Sequence, residues 1–132
     1  MNLVAWTLVF CVLMYEPVTE ACPNTCVCGR TYICTGMTVD CTFRGFTEKP
    51  TYIPTDTCLL RLNSNKITTI QNNTFDGFQN LKILWLSSNR ISIIQNNVFN
   101  GLPNLLELSL HSNKITTIQN NTFNGLQNLQ QL

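Results

Sequence analysis

Residues 81–104 have the sequence LKILWLSSNRISIIQNNVFNGLPN, and the stretches on either side repeat its pattern. The preceding copy, residues 57–80, is TCLLRLNSNKITTIQNNTFDGFQN, and the following copy, residues 105–128, is LLELSLHSNKITTIQNNTFNGLQN. Each copy is 24 residues long, and leucine, asparagine and phenylalanine recur at fixed places within it. A fixed period of this length predicts an architecture in which neighbouring copies stack on one another.

The order of leucines and asparagine within each copy matches the pattern of leucine-rich repeats, L-x-x-L-x-L-x-x-N. In the middle copy, Leu84 and Leu86 alternate with Ile83, Trp85 and Ser87, which predicts a short strand with one buried and one exposed face. We therefore expect an α/β leucine-rich-repeat solenoid, with short parallel strands on its concave face and a mostly irregular convex side. Ordering the 24 backbone residues of one copy costs about 1–2 kcal/mol per residue, which exceeds the roughly 10–20 kcal/mol that all its apolar side chains contribute on burial. A single copy therefore cannot fold alone.

The chain begins with an apolar run, LVAWTLVFCVLMY, at residues 3–15. This run is shorter than the roughly 20 residues of a membrane-spanning helix, and small residues follow it. We interpret residues 1–21 as a signal peptide rather than an uncleaved anchor, which predicts a secreted protein or one on the extracellular side of the cell surface. A cysteine-rich cap (22–56), three repeats (57–128) and the start of a truncated fourth repeat (129–132) follow.

Six cysteines remain when Cys11 leaves with the signal peptide, and an even number in an oxidising compartment predicts disulfides. The spacing C-x-x-x-C-x-C also fits a zinc site, but the signal peptide and the lack of histidine in the cap argue against one. We expect neither a metal nor a cofactor. The six cysteines are Cys22, Cys26, Cys28, Cys34, Cys41 and Cys58.

The cap contains Cys22-x-x-x-Cys26-x-Cys28, then Val39-Asp40-Cys41, and Ile53-Pro54 just before the repeats. This arrangement resembles the N-terminal cap of the extracellular leucine-rich-repeat family, which includes Slit, the Nogo receptor, Toll-type receptors and variable lymphocyte receptors. The resemblance implies the pairings Cys22–Cys28 and Cys26–Cys41. Cys34 and Cys58 depart from the family pattern, and a bridge between them is a hypothesis obtained by elimination.

The rest of the cap offers few aliphatic residues. Residues 37–41 alternate polar and apolar side chains and are rich in β-branched residues, which predicts a short strand. Four apolar side chains are expected to pack onto the first repeat: Phe43, Phe46, Tyr52 and Ile53.

Outward-facing strand positions should form rows across the repeats, and these rows are the candidate ligand-binding surface. Their centre is apolar and aromatic, which is typical of an interface, although single exposed apolar residues are also ordinary on protein surfaces. No catalytic set is present, because the chain lacks a Ser-His-Asp combination, paired carboxylates and a phosphate-binding loop. The rows are Leu59, Ile83 and Glu107; Arg61, Trp85 and Ser109; and Asn63, Ser87 and His111.

Other recurring polar residues have structural explanations. Asn65, Asn89 and Asn113 can bond the backbone groups that a sharp turn leaves unpaired. Two N-glycosylation sequons begin at Asn72 and Asn120. Lys66, Arg90 and Lys114 form a basic row that is either a solvated edge or a site for anionic glycans.

The sequence thus predicts a non-catalytic extracellular recognition module that binds protein or glycan ligands, in innate-type immunity, adhesion or guidance as the resemblance implies. The alternative is a structural matrix protein. Nucleic acid is not expected as a ligand, because the net charge is only +1, or +3 once Glu16 and Glu20 leave with the signal peptide. After the leader no segment could span a membrane. Residues 129–132 open a fourth copy, so we expect either a longer natural protein or self-association through this uncapped end.

Overall fold

The computed structural model describes residues 22–132, which form a solenoid of about three turns without any helix. The expected signal peptide lies outside these residues. Since the described part contains no helix, it also contains none that could cross a membrane. The strands are β1 (Val27–Arg30), β2 (Met37–Asp40), β3 (Thr57–Arg61), β4 (Thr69–Ile70), β5 (Ile83–Trp85), β6 (Ile93–Ile94) and β7 (Glu107–Ser109).

Five of these strands form the concave sheet, in the order β1-β2-β3-β5-β7. β1 and β2 are an antiparallel hairpin of the cap, and every later pairing is parallel. Leu60, Leu84 and Leu108 lie side by side in the register, and each is at most 1% exposed. The predicted solenoid, with its parallel concave sheet and irregular convex side, is confirmed.

The limbs that return the chain beneath the sheet also stack from repeat to repeat. β4 and β6 form a second, two-stranded parallel sheet that pairs Ile70 with Ile94. The rings of Phe75, Phe99 and Phe123 stack with centroids 6.1 and 5.9 Å apart. Each repeat thus contributes one leucine-rich strand and one phenylalanine to a continuous core, as the 24-residue period requires.

A ladder of asparagine amides closes the turn that follows each concave strand. Asn89 donates from Nδ2 to the carbonyl oxygens of Leu62 and Leu86, at 2.9 and 3.0 Å. Its Oδ1 accepts the backbone N–H of Ile67 at 3.1 Å, so one side chain joins two repeats. The turn is tight enough that the preceding residue, Ser88, has a φ of 55°.

Three disulfides hold the cap together: Cys22–Cys28, Cys26–Cys41 and Cys34–Cys58. The first two are the pairs that the family resemblance implied, and the third joins the two cysteines that depart from the family pattern. The third bridge joins the cap loop, which we define as residues 31–36 between β1 and β2, to the start of the first repeat. Gly36 lies so close to the repeat that a Cβ there would collide with the carbonyl oxygen of Asp56.

The cap packs onto the repeats through fewer apolar side chains than expected. The strand predicted at residues 37–41 is β2, and it pairs directly with β3. Ile53 is buried and Phe46 packs against the core, but Phe43 and Tyr52 are 79% and 77% exposed. The expectation that Phe43 and Tyr52 pack onto the first repeat is therefore wrong, because Val39 of β2 and the neighbouring Cys41 fill that part of the core instead.

Candidate functional site

The concave sheet aligns the first two predicted rows. Leu59, Ile83 and Glu107 are partners in the register of β3, β5 and β7. Two residues further along the same strands, Arg61, Trp85 and Ser109 form the second row. The repeat period alone sets this alignment, since equivalent positions of parallel neighbours must lie side by side.

The third row lies just beyond the strands and continues the same stacking. The backbone N–H of Ser64 bonds to the carbonyl of Ser87, and that of Ser88 bonds to the carbonyl of His111. Asn63 is half-buried and its Oδ1 accepts a hydrogen bond from the hydroxyl of Thr42, whereas His111 is exposed.

Two of the predicted surface residues are buried instead. Leu59 is 1% exposed, because β2 adds Thr38 on its other side and the cap loop is bonded to the adjacent Cys58. Ser87 is 9% exposed, being a short side chain between larger neighbours in its row. The expectation that Leu59 and Ser87 are exposed on the concave face is wrong.

A line of four side chains crosses the remaining concave surface. Arg61 donates from Nη1 to Oδ2 of Asp40 at 3.0 Å, and its guanidinium lies 4.9 Å from the centroid of the Trp85 ring. Trp85 in turn donates from Nε1 to Oε1 of Glu107 at 2.7 Å. We call Asp40, Arg61, Trp85 and Glu107 the concave line.

Each member of the concave line is partly exposed, so the line can be contacted from solvent. The side chains of Asp40 and Arg61 are 34% and 32% exposed, and Trp85 and Glu107 are of intermediate burial. A salt bridge at this exposure adds little stability, but the cation–π contact and the indole hydrogen bond restrict the Trp85 ring to one orientation. The line therefore presents a fixed aromatic face between opposite charges.

The electrostatics of the line centre on Asp40. Partial burial alone would raise the pKa of its carboxyl, but hydrogen bonds from Thr42 and Arg61 and the positive charge of Arg61 lower it below the ordinary value. Asp40 is therefore ionised throughout the physiological range and holds the guanidinium against the ring.

Sequence reasoning missed Asp40 as a member of this surface. It pairs with Arg61 in the register of β2 and β3, although the two residues are 21 positions apart rather than 24. The predicted strand at residues 37–41 was the available signal, but its register could not be set because the cap does not share the repeat period.

The tip of the cap loop is a second feature that sequence reasoning missed. Tyr32 is entirely exposed and Ile33 is 65% exposed. Ile33 and Cys34 line a shallow depression together with Ile83 and Glu107, so the loop borders the concave face. The third disulfide fixes this position.

The other predicted polar residues lie away from the concave line. The residues Lys66, Arg90 and Lys114 of the basic row are exposed at the turns that leave the concave strands. Asn72 and Asn120 are exposed on the return limbs. The hydroxyl of Thr74, the third residue of the first sequon, donates to the carbonyl of Gln71.

Comparison with known proteins gives the repeats a family. The model of the leucine-rich repeat family matches residues 58–110 and 79–132. Leucine-rich repeat-containing protein 3 of Bos taurus is 36% identical over 77 residues, which is 58% of this chain and 28% of that protein. The chain spans less than a third of the length of the curated relatives it matches.

Two solved structures share the architecture. The structure of human 5T4 (Wnt-activated inhibitory factor 1, trophoblast glycoprotein) is similar with a TM-score of 0.73 at 26% identity, covering 87% of this chain and 40% of that one. The TLR13–ssRNA13 complex is similar with a TM-score of 0.70 at 31% identity, covering 80% of this chain and 15% of that one. Period, fold, cap disulfides and family match agree, and the chain belongs to the leucine-rich-repeat family.

Proposed function

We propose that the chain is a non-catalytic extracellular recognition module that binds a protein or glycan ligand on its concave face, with a receptor-like role in innate-type immunity, adhesion or guidance. Its three disulfides support an oxidising, extracellular location. Members of the leucine-rich-repeat family are typically binding modules rather than enzymes. Membership of this family therefore supports a non-catalytic role.

The observation that carries the proposal is the concave line. A partly exposed tryptophan that is already held in one orientation loses little conformational freedom when a ligand covers it. Aromatic and arginine side chains are also the residues that most often dominate binding energy. Trp85 and Arg61 are in contact at 4.9 Å, and Glu107 fixes the indole from the other side. We therefore place the centre of the ligand footprint on Trp85.

The cap loop supports a protein ligand in particular. Ile33 exposes apolar surface beside Ile83 at the margin of the concave face, and Tyr32, the preceding residue, is entirely exposed. Exposed apolar surface that continues a recessed aromatic site is typical of protein interfaces. A protein surface could contact the loop tip and Trp85 together.

The experiment compares the wild-type protein with Trp85→Ala on arrays of purified ectodomains and glycans, with single-stranded RNA as a further probe. Removal of a central anchor residue costs at least about 2 kcal/mol, so the dissociation constant of a true ligand should rise about 30-fold. The matched control is Ile93→Ala, which removes a 54%-exposed apolar side chain from the convex side. This control should leave binding unchanged.

Two results would contradict the proposal. One is a set of ligands that bind wild type and Trp85→Ala equally well. The other is saturable binding of the RNA at physiological salt, which the low net charge of +3, reached once Glu16 and Glu20 leave with the signal peptide, does not predict. Both variants should unfold cooperatively as the wild type does, because neither Trp85 nor Ile93 belongs to the buried core.

A further inference from the structure

The basic row is held in register by the backbone of the turns that leave the concave strands. The backbone N–H of Arg90 bonds to the carbonyl of Ile67 at 2.9 Å, and that of Lys114 bonds to the carbonyl of Ile91 at 2.8 Å. Each acceptor is the residue that follows the preceding cation of the row, so the three cations lie side by side in adjacent repeats. Neighbouring parallel strands are about 4.8 Å apart, and the row therefore extends over about 10 Å.

The cap adds a fourth cation at the end of this row. Asn65 accepts the backbone N–H groups of Arg44 and Phe46 at its Oδ1, each at 3.0 Å. The backbone N–H of Lys66 in turn bonds to the carbonyl of Phe46 at 2.8 Å. These are the bonds that join one repeat to the next, so this part of the cap stacks on the first repeat as a further turn. Arg44 is exposed there, beside the first cation of the row.

The charges of all four side chains are exposed and unpaired within the described part of the chain. No carboxylate of residues 22–132 lies within 4.0 Å of any of them, whereas Arg30 pairs with Asp56 and Arg61 pairs with Asp40. Like charges held side by side on stacked segments repel one another and lower stability. A bound polyanion would offset this repulsion, which favours a binding role for the row over a purely structural one.

The residues between the cations suit a sulfated sugar better than a nucleic acid. A serine stands two positions before each cation of the basic row, and Ser88 and Ser112 are exposed. Serine hydroxyls can donate hydrogen bonds to sulfate oxygens and to sugar hydroxyls. Single-stranded nucleic acid is bound largely by aromatic side chains on which the bases stack. The turns at residues 63–67, 87–91 and 111–115 contain no phenylalanine, tyrosine or tryptophan.

We propose that the basic row, extended by Arg44, binds a sulfated glycosaminoglycan whose sulfates lie along the line of cations. A straight row suits a linear polyanion, because successive sulfates can meet successive repeats. Such glycans belong to the cell surface and the extracellular matrix, which agrees with the oxidising location that the three disulfides support. The row contains no member of the concave line, so this site is separate from the ligand surface proposed above.

The test measures binding of a size-defined heparin oligosaccharide to the disulfide-bonded protein by calorimetry at physiological salt. Lys66→Gln/Arg90→Gln should raise the dissociation constant about fivefold to thirtyfold, as expected for the loss of two exposed ion pairs. The matched control is Arg30→Gln/Lys82→Gln, which removes the same two residue types from the other end of the concave strands. Lys82 directly precedes β5, and Arg30 lies beside Met37 at the start of β2. This control should change the affinity by less than about twofold.

Two further probes test the chemistry of the ligand. Hyaluronan, which has carboxylates but no sulfates, should bind more weakly than heparin, and so should a single-stranded RNA of equal charge. Trp85→Ala should retain heparin binding, so failure of the basic row and failure of the concave surface can be told apart. A ligand that the row variant loses and Trp85→Ala retains belongs to the row.

Four results would overturn the proposal: no heparin binding at physiological salt, equal losses of affinity in the row variant and its control, hyaluronan or RNA bound as tightly as heparin, or loss of heparin binding in Trp85→Ala. Lys66→Gln/Arg90→Gln should also unfold at or above the urea midpoint of the wild type, because it relieves repulsion between neighbouring cations. A lower midpoint would contradict the argument that the cations are retained for binding rather than for stability.

Discussion

Replacement of Asn89 by alanine should strongly destabilise the solenoid. Asn89 is only 7% exposed, and its amide is bonded on both sides. Oδ1 accepts the N–H of Ile67 at 3.1 Å, while Nδ2 donates to the carbonyls of Leu62 and Leu86 at 2.9 and 3.0 Å. Asn89→Ala removes these bonds and offers no replacement.

The size of the loss follows from what each partner retains. The N–H of Ile67 is left without its acceptor inside the protein, which costs about 1–3 kcal/mol. The two carbonyls each keep a second donor, from Asn65 in one case and Asn113 in the other, so each loses one bond of about 0.5–1.5 kcal/mol. Together these contributions lower the free energy of unfolding by roughly 2–6 kcal/mol, a large part of the stability of a typical domain.

Equilibrium urea unfolding with the disulfides intact measures this loss. The matched control is Asn96→Ala, which changes an exposed asparagine of the same repeat and should alter the free energy of unfolding by less than about 0.5 kcal/mol. Asn89→Asp should be at least as unstable as Asn89→Ala at neutral pH, because its carboxylate still accepts the N–H of Ile67 but sets a buried charged oxygen against the carbonyls of Leu62 and Leu86. If Asn89→Ala proves no less stable than Asn96→Ala, the hydrogen bonds of the Asn89 amide do not stabilise the turn that follows β5.

Three further predictions concern the cap and the surface. The double variant Cys34→Ala/Cys58→Ala opens a loop with a sequence separation of 24 and should lose about 3–4 kcal/mol of stability in the same urea assay; unchanged stability would contradict this. The pKa of Asp40 is lower in the folded than in the unfolded chain, so its stabilising effect is present above about pH 4 and is lost as pH falls through the folded pKa. The difference in stability between wild type and Asp40→Asn should therefore shrink below about pH 4; a difference that is constant with pH, or that grows as pH falls, would refute the lowered pKa. Asn72→Gln and Asn120→Gln should each remove one glycan from the protein secreted by animal cells, visible as a change in mobility that peptide N-glycosidase abolishes; mobility that is unaffected by either variant would rule out occupancy.

The repeat pattern was sufficient to predict the solenoid and much of its core. Because the period is fixed, any residue at a leucine position of one copy must lie beside its counterpart in the next. The burial of Leu84, Leu86 and Phe99 and the bonding of Asn89 follow from that rule. The same rule predicted the row that contains Arg61 and Trp85.

The cap lies outside this period, and predictions that depended on it were less accurate. Cys34–Cys58 was predicted by elimination, but its consequence, a tethered loop beside a buried Leu59, was not. Phe43 and Tyr52 look like core residues by composition alone, yet they are exposed, because burial depends on which surface the cap covers.

The sequence by itself determined the period, the parallel strands and the alignment of equivalent strand positions in rows, since these follow from local pattern and stacking. Only the tertiary structure decided which side chains meet there, because non-repeating contacts depend on distances between parts of the chain that share no register. It placed Asp40 against Arg61 and set Glu107 on the indole of Trp85. The concave line therefore runs from the cap across all three repeats.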